Sequence, residues 1–310
     1  MTGWWPVGPR VRHPRWGKLY LRRAIAIARR PACLYKRTMP ATRDPAKLQD
    51  IPRPLAALAD EYPAGHVEPT HSHRRGQLLY ACKGVMSVLT DAGGFVVPPQ
   101  RAVWLPSGTP HEVRCRDVVS LRTLYIDSQS SPRLPRACCV IEVSELLRAL
   151  IVSAIDIPVE YDLGGREGRI MTLILDEIAL MPVAPLYAPL PADARLARIC
   201  RALFKEPAQN QNLAYWAKAA RMSRRTLTRT FRRETGMSFA SWRQHVRLLE
   251  ALSRLAAGQS VTAVALDVGY LSPSAFTARF RQTFGTTPTH YCAQTAIGAA
   301  GVVPGAPKPA

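Results

Sequence analysis

Short apolar runs alternate with turn residues between residues 66 and 127. The turns contain glycine at positions 84, 93, 94 and 108. Short runs bounded by glycine and proline are typical of the strands of an all-β sandwich or barrel. The predicted strands are QLLYA, GVMSVLT, GGFVVPP, RAVWLP, HEVRC and VVSLRTLYI.

The following segment, residues 144–181, has the spacing of two amphipathic helices. In the first, Leu147 and Ile151 share a face with Leu150 and Ala154. The second carries an apolar stripe about 100° wide, formed by Ile170, Leu173, Ile174, Ile178 and Met181. Two roles are open for this helix pair, namely packing against the β-domain and forming a homodimer interface.

The C-terminal third contains one helix–turn–helix pattern twice. Residues 223–236 and 272–285 align at an offset of 49, with the same Ser, Thr, Phe, Arg and Gly at matching positions. Ser223 and Ser272 lie where an N-cap belongs, because their hydroxyls can accept a bond from a free backbone N–H. Pro273 follows at the first helical position, where its missing donor is harmless.

Proline-rich and glycine-rich stretches mark the domain boundaries. Residues 182–192 contain four prolines, which cannot continue a helix or pair in a central strand, so this segment predicts an extended linker. The predicted fold class is α+β and multidomain, with a β-barrel followed by an all-α domain of two helix–turn–helix units. The predicted boundaries are 39–143 for the β-domain, 144–181 for the helix pair, 182–192 for the linker, 193–293 for the helical domain and 294–310 for a disordered tail.

The formal net charge is +20 over 310 residues, and its distribution is uneven. Residues 39–192 hold 15 basic and 17 acidic residues, whereas residues 193–310 hold 17 basic and 5 acidic residues. A basic C-terminal third is suited to binding a polyanion, for which nucleic acid is preferred over an anionic membrane.

The chain lacks the run of roughly 18 apolar residues that a transmembrane helix needs. Cysteines without a CxxC spacing fit a reducing cytosol.

Residues 1–38 differ from the rest of the chain, with ten Lys or Arg and no acidic residue. An Arg-rich, acid-free start resembles an organelle transit peptide. The alternative is an upstream translation start, with the native protein beginning at Met39, where a conventional domain start follows. We expect the second and treat this basic extension as disordered or not native.

Two closely spaced histidines, His71 and His73, precede Gln77 in the β-domain, and His111 follows later. His71 and His73, at i and i+2, project from the same face of a strand. Neutral imidazoles are good ligands for zinc, nickel, copper or iron. The spacing from Gly65 through these histidines to Gln77, with the later run 106–111, resembles the two-part signature of the cupin superfamily, a small jelly roll.

That resemblance implies a divalent metal, zinc, nickel or iron, inside the barrel. Its ligands would be His71, His73, Gln77 and His111. Gln77 stands where the family usually has Glu, and Cys115 where it usually has Asn. The alternative is therefore a metal-free barrel whose histidines line a ligand pocket. The barrel mouth is a natural small-molecule site, and the candidates for its apolar wall are Tyr80, Met86 and Trp104.

The second helix of the first unit has a divided surface. Leu227 and Phe231 point inward, whereas Arg225, Thr228 and Arg229 lie together on another face. Such a helix suits the DNA major groove, where Arg reads guanine O6 and N7 and Thr contacts a thymine methyl.

The double unit strongly resembles the DNA-binding domain of the AraC/XylS family of transcription regulators. The resemblance covers about residues 195–292 and is carried by the closing run 280–291 and by Gly269-Tyr270. It places base contacts at Arg225, Thr228 and Arg229 in the first unit and at Pro273, Ser274, Thr277 and Ala278 in the second. Since Pro273 and Ala278 cannot reach a base, we expect the first unit to read sequence more strongly. The phosphate candidates are Arg224, Arg232, Arg243 and Arg281.

The expected function is a cytosolic, sequence-specific transcription regulator that is not an enzyme. Its partners would be double-stranded DNA, a small-molecule effector or metal, and a second copy of the chain, without a membrane. Two alternatives stay open. One is a metal-dependent cupin enzyme fused to a DNA-binding domain. The other is a nucleoid-type binder with little specificity.

Overall fold

The computed structural model describes residues 44–130 and 132–293, all within a single unit. The predictions for residues 1–38 and 294–310 lie outside these ranges. Among the described residues, no helix combines the length and the apolar character needed to cross a bilayer.

Two antiparallel sheets form the first domain. The strands are β1 (Leu55–Tyr62), β2 (Val67–His71), β3 (Gly76–Lys83), β4 (Met86–Thr90), β5 (Gly93–Val97), β6 (Arg101–Leu105), β7 (His111–Cys115), β8 (Val119–Ile126), β9 (Cys139–Glu142), β10 (Val183–Ala184) and β11 (Tyr187–Pro189). One sheet has the order β1-β8-β3-β6-β9-β10 and the other β11-β5-β4-β7-β2. All six predicted strands are present, as β3 to β8. The sheets do not close into one barrel, but their arrangement is that of a jelly roll, so the predicted fold class is confirmed.

Alternate residues of each strand build the core between the sheets. Leu79 and Val103 from the six-stranded sheet share one apolar cluster with Val88 and Val113 from the five-stranded sheet. The antiparallel register keeps this face continuous, since Leu79 lies opposite Val103 and Val88 lies opposite Val113. Burying each such side chain contributes about 1.5–3 kcal/mol, so this layer supplies much of the domain's stability.

The outer face of the six-stranded sheet is covered by two helices, α1 (Glu145–Ala154) and α2 (Arg166–Leu180). Both helices were predicted, and Leu147 and Ile151 of α1 are buried as expected. The predicted stripe on α2 is wrong at one position. Leu173 is 41% exposed, whereas Met171 is buried with Ile174 and Ile178. The reason is that residues 171, 174 and 178 recur at i, i+3 and i+7, which brings them onto one face.

The proline-rich segment is extended, but it is part of both sheets. Strand β10 pairs with β9, and strand β11 pairs with β5. Both lie at sheet edges, the positions where proline is tolerated. The segment predicted as a linker therefore completes the first domain before the helical domain begins.

Residues 288–293, at the end of the described range, are helical, and six further helices precede them in the second domain. The six are α3 (Ala194–Lys205), α4 (Leu213–Ala219), α5 (Arg224–Thr235), α6 (Phe239–Ala256), α7 (Val261–Asp267) and α8 (Pro273–Phe284). Helices α4 and α5 form the first predicted helix–turn–helix unit, and α7 and α8 form the second. The long helix α6 joins them. Each unit is centred on fully buried phenylalanines, namely Phe231 in the first and Phe276 and Phe280 in the second.

The two domains share one apolar cluster. Gly94 on β5 leaves room for Phe204 on α3, since a Cβ atom at residue 94 would lie 2.4 Å from Phe204 Cζ. Trp242 of α6 donates its indole N–H to the backbone oxygen of Pro189 on β11, at 2.7 Å. Domains that share a hydrophobic interface of this kind resist relative motion.

Candidate nucleic-acid interface and histidine site

Helix α5 presents an arginine-lined surface. Its N-cap is Ser223, whose Oγ accepts a hydrogen bond from the Thr226 N–H at 3.1 Å. The helix ends at Gly236, which adopts a left-handed conformation with φ 72°. Four exposed arginines line this surface with Leu213 and Thr228, and none of the four forms an ion pair with any described residue. They are Arg224, Arg225, Arg229 and Arg232.

Thr228 uses its hydroxyl hydrogen within the helix. Its Oγ1 donates to the backbone oxygen of Arg224 at 2.9 Å. The side chain therefore offers a methyl group and an acceptor lone pair outward. A methyl group is the feature that contacts thymine in the major groove.

Helix α8 has the same kind of N-cap as α5, but its exposed side chains are shorter. Ser272 caps it through the Ala275 N–H at 3.3 Å, and Pro273 takes the first helical position as predicted. Ser274 and Ala278 are exposed, and Thr277 is half-buried. Arg281 is exposed further along the helix.

The turns of the two units differ by one residue. Arg221 in the first turn and Gly269 in the second both adopt positive φ, at 53° and 86°. The second turn then contains both Tyr270 and Leu271 before its N-cap. Leu271 is 99% exposed.

Arg243, predicted as a phosphate contact, instead forms hydrogen bonds within the protein. Its guanidinium is half-buried and donates to the backbone oxygens of Gln209 and Gln211, at 2.6 and 2.8 Å. Arg247, one turn further along α6, donates to the backbone oxygen of Pro207 at 3.0 Å in the same loop. These two arginines hold the loop that leads into α4.

His71, His73 and His111 converge between the two sheets. Their ring nitrogens lie within 4.8 Å of one another. His71 and His111 are direct cross-strand partners on β2 and β7, which explains their proximity. His73 follows β2 and contacts the ring of Tyr125 at 5.1 Å between centroids.

Backbone carbonyls set the tautomers of two of these histidines. The Nδ1 atom of His71 donates to the Pro69 oxygen at 2.7 Å, and Nδ1 of His111 donates to the Thr109 oxygen at 2.9 Å. Each Nε2 then carries a lone pair. Burial and the other two histidines lower the pKa of His73 to about 4, and burial lowers the pKa of His111. Neutral imidazoles with free lone pairs are the metal-binding form.

Gln77 points into the same interior from β3. It lies opposite Tyr125 on β8, and its amide hydrogen-bonds the Tyr125 hydroxyl. Its Oε1 atom and His111 Nε2 are buried without a hydrogen-bond partner in the described residues. Two buried acceptors without donors are costly unless something binds them. The three imidazole nitrogens therefore fit a divalent transition metal, which His71, His73 and His111 would hold, and the buried Oε1 of Gln77 faces the same interior from β3.

Two of the three residues predicted to form the apolar wall of the pocket do not face the interior. Tyr80 and Trp104 lie on the outer face of the six-stranded sheet, buried beneath α1 and α2, and Trp104 donates to the Pro135 oxygen at 2.7 Å. Met86 does face the interior, where it is fully buried opposite Cys115. The physical reason is alternation, because residues 78 and 80 point away from the face that holds Gln77 and Leu79.

Inward-facing polar residues near the histidines were missed. Glu68 shares the inner face of β2 with His71, and Asp60 and Tyr62 share the inner face of β1. Burial raises the pKa of Asp60 and also that of Tyr62. Asp60 and Tyr62 have the period-two spacing of one strand face, but β1 was not assigned from sequence. Glu68 lies three residues before His71, across a register shift in β2, so no regular spacing marked it.

The architecture defines a class of protein. A sheet sandwich that encloses a polar site is joined to two capped, exposed recognition helices, one of them lined by unpaired arginines. This combination is that of a DNA-binding transcription regulator with a ligand-binding domain. In agreement, residues 54–215 match the model of the AraC-like ligand binding domain, and residues 216–294 match that of a helix-turn-helix domain. The chain belongs to the AraC family of transcription regulators.

Known proteins are similar over different lengths. The HTH-type transcriptional regulator NimR of Escherichia coli (strain K12) is 33% identical over 226 residues, which cover 73% of this chain and 82% of NimR. The DNA-binding domain of AdpA, solved with a target DNA, is 32% identical and covers 33% of this chain and 94% of its own, with a TM-score of 0.32. Fatty-acid-bound ToxT from Vibrio cholerae covers 77% of this chain and 94% of its own, at 13% identity and a TM-score of 0.33.

Proposed function

We propose that the protein binds a DNA site with two elements and that its first helix–turn–helix unit reads most of the sequence. The observation that carries this proposal is the contrast between the two recognition helices. Arg225 and Arg229 are exposed and unpaired on α5, whereas the corresponding positions of α8 hold Ser274 and Ala278. Long guanidinium side chains reach guanine edges, and short side chains do not. The second unit then contributes mainly through the backbone of the DNA.

Selection from random-sequence duplexes tests this proposal. The full chain is incubated with the library at about 150 mM salt, a concentration at which non-specific binding is weak, and the retained DNA is sequenced. We expect two elements about 10 bp apart, because two helices on one face of DNA enter grooves one turn apart. The first element should be the more sharply defined. Retention of unrelated sequences would contradict specific regulation and favour a nucleoid-type binder.

The space around the histidines is our proposed effector site. The unpaired acceptors Gln77 Oε1 and His111 Nε2 support a divalent metal there, and zinc, nickel and iron suit such a donor set. Native mass spectrometry of the full chain with each metal tests it, with one ion per chain expected. His111→Ala should abolish this binding. His66→Ala is the control, because His66 stacks on Tyr62 outside the triad and its loss should leave metal binding intact.

Metal binding that survives His111→Ala would contradict this site and favour an organic effector in a metal-free chamber.

Whether the ligand is a metal or an organic molecule, we propose that the domain senses it without converting it. Recovery of any bound effector in unchanged form tests that statement, and turnover would instead favour the cupin enzyme. Acting on DNA would place the protein in the cytoplasm.

We also propose that the regulator is a homodimer and that α1 and α2 form its interface. Leu173 and Leu180 lie two turns apart on one exposed face of α2, and Leu146 of α1 is also exposed. Sedimentation velocity of the full chain tests this. Leu173→Lys and Leu180→Lys should each shift the population toward monomer. A wild-type monomer at micromolar concentration would exclude the dimer.

A further inference from the structure

Glu250 is a buried carboxylate on α6 that none of the sites above uses. The residue is 9% exposed, and burial of a charge is costly unless it is paired. Each of its oxygens accepts from a different arginine. Oε2 accepts from Arg116 of the first domain, and Oε1 accepts from Arg254 at 2.7 Å. Removing the carboxylate would leave two guanidinium groups facing each other.

Arg254 extends these contacts to the second helix–turn–helix unit. Its NH1 atom donates to Asp267 Oδ2 at 2.8 Å. Asp267 is the last residue of α7, and the turn that follows leads into α8. Val264 of α7 and Phe276 of α8 are both fully buried, so the two helices pack as one body. The ion pairs therefore act on the position of the second recognition helix.

Arg116 is itself held by the first domain. Its backbone N–H donates to the Val85 oxygen at 3.2 Å, and the preceding residue, Cys115, donates to the His66 oxygen at 2.9 Å. Arg116 directly follows β7, the strand that begins with His111. One five-residue strand thus carries the histidine site at its start and the ion pair just beyond its end.

The first unit is attached in a different way. Phe231 of α5 packs against Trp242 of α6, with ring centroids 5.8 Å apart, and Trp242 bonds to Pro189 of β11. Among the described residues, no ion pair joins the first domain to α4 or α5. The loss of the Arg116 contact should therefore affect the two units unequally.

We propose that Glu250 is a positioning residue through which the first domain sets where the second recognition helix lies. Arg116, Glu250, Arg254 and Asp267 form the connection, from the end of β7 to the end of α7. The inference rests on the proposed function, because it assigns the second unit a place on DNA relative to the first. The same ion pairs also act in the protein without DNA, so the inference has a test of its own.

Hydrogen–deuterium exchange of the full chain supplies that test. The variants are Glu250→Gln and Arg116→Ala, with Arg116→Lys to restore the charge. Arg114→Ala is the matched control, because Arg114 lies on the same strand but pairs with Glu112. We expect exchange within residues 261–284 to rise about fivefold or more in the first two variants, the factor that corresponds to a loss of about 1 kcal/mol. Residues 213–235 and the Arg114→Ala control should not change, and Arg116→Lys should reverse most of the effect.

An equal rise in both units, or none in either, would overturn the positioning role. DNA binding gives a second measurement. On a duplex with both elements, Glu250→Gln should bind about 5–30-fold more weakly than wild type. On a duplex that ends before the second element, and so offers the second unit no phosphates, the two proteins should bind alike. An equal loss on both duplexes would show a merely structural role. If wild type selects no DNA at all, the proposed function fails, and the exchange experiment still decides this inference.

Discussion

The Nε2 atom of His245 lies 3.0 Å from the backbone oxygen of Tyr187, which joins helix α6 to the edge strand β11. Burial lowers the pKa of His245, so its imidazole stays neutral and donates its N–H to this carbonyl. Trp242, one turn earlier on α6, donates to Pro189 of the same strand. Two side chains of one helix thus attach the helical domain to the backbone of a two-sheet domain.

Acid should weaken this attachment. The pKa of His245 is lower in the folded protein than the value of about 6.5 expected in the unfolded chain. The unfolded chain therefore binds the proton more readily, and stability falls as pH drops below about 6.5. His245→Gln keeps an N–H donor but does not titrate. In urea titrations, wild type should lose more free energy of unfolding between roughly pH 7 and pH 5 than His245→Gln does. Parallel losses would show that this histidine has no part in the pH dependence.

Arg229→Ala should weaken binding to the selected DNA site by about 1–3 kcal/mol and relax one base preference. Arg229 is exposed and unpaired on α5, so its loss costs no internal contact. Competition binding against single-base variants of the site is the measurement. Arg233→Ala is the control, since Arg233 pairs with Glu234 and should leave the preference unchanged. An equal loss on random DNA would assign Arg229 to phosphate.

Arg281→Ala should weaken all DNA sequences to a similar extent. Arg281 is exposed on α8, beyond the short side chains at its N-terminal end. If it contacts a phosphate, its loss reduces the salt slope of binding by about one, because one fewer counterion is released. Titrations at several salt concentrations measure that slope. A slope equal to that of wild type would exclude the contact.

The two turns should respond in opposite directions to exchange of their left-handed residues. Gly269→Ala should cost about 1–2 kcal/mol, because its φ is positive and the added Cβ would lie 3.1 Å from the Arg247 guanidinium. Arg221→Gly relieves the same strain in the first unit but adds about 0.5–1 kcal/mol of unfolded-chain entropy. We expect its free energy of unfolding to rise by less than about 1 kcal/mol. Urea denaturation of both variants measures this contrast. Destabilisation by Arg221→Gly would show that the arginine side chain makes a needed contact.

The repeat was the most predictable part of the molecule, and the histidine cluster was predictable as a spacing. Capping serines, terminal glycines and inward phenylalanines act locally, so matching residues form matching structures. The residues of the pocket wall were harder to predict from the sequence. Strand β3 is buried on both faces, by the opposite sheet and by α1 and α2. A strand with two buried faces shows no alternation, so its sequence does not reveal that Tyr80 points outward.

Strand β1 was not predicted, and in the region of β2 only His71 and His73 were placed on a strand, which in fact ends at His71. The first half of β1 is buried throughout, whereas β2 is mostly exposed and contains Pro69. Neither has the regular apolar–polar alternation that identifies a strand. The ion pair between Arg116 and Glu250 was not predictable for another reason. The two residues are 134 positions apart, and the local sequence around each gives no indication of the contact.

Strand β11 also determines how this protein can be recombined with its relatives. The strand belongs to the sheet through β5, yet its backbone is a binding surface for Trp242 and His245. A chimera joined before residue 187 would separate this strand from β5, and one joined after residue 189 would separate it from its own Trp242 and His245. A productive crossover should instead keep β11 with its sheet and choose a second half whose central helix carries a tryptophan and a histidine at the same two positions.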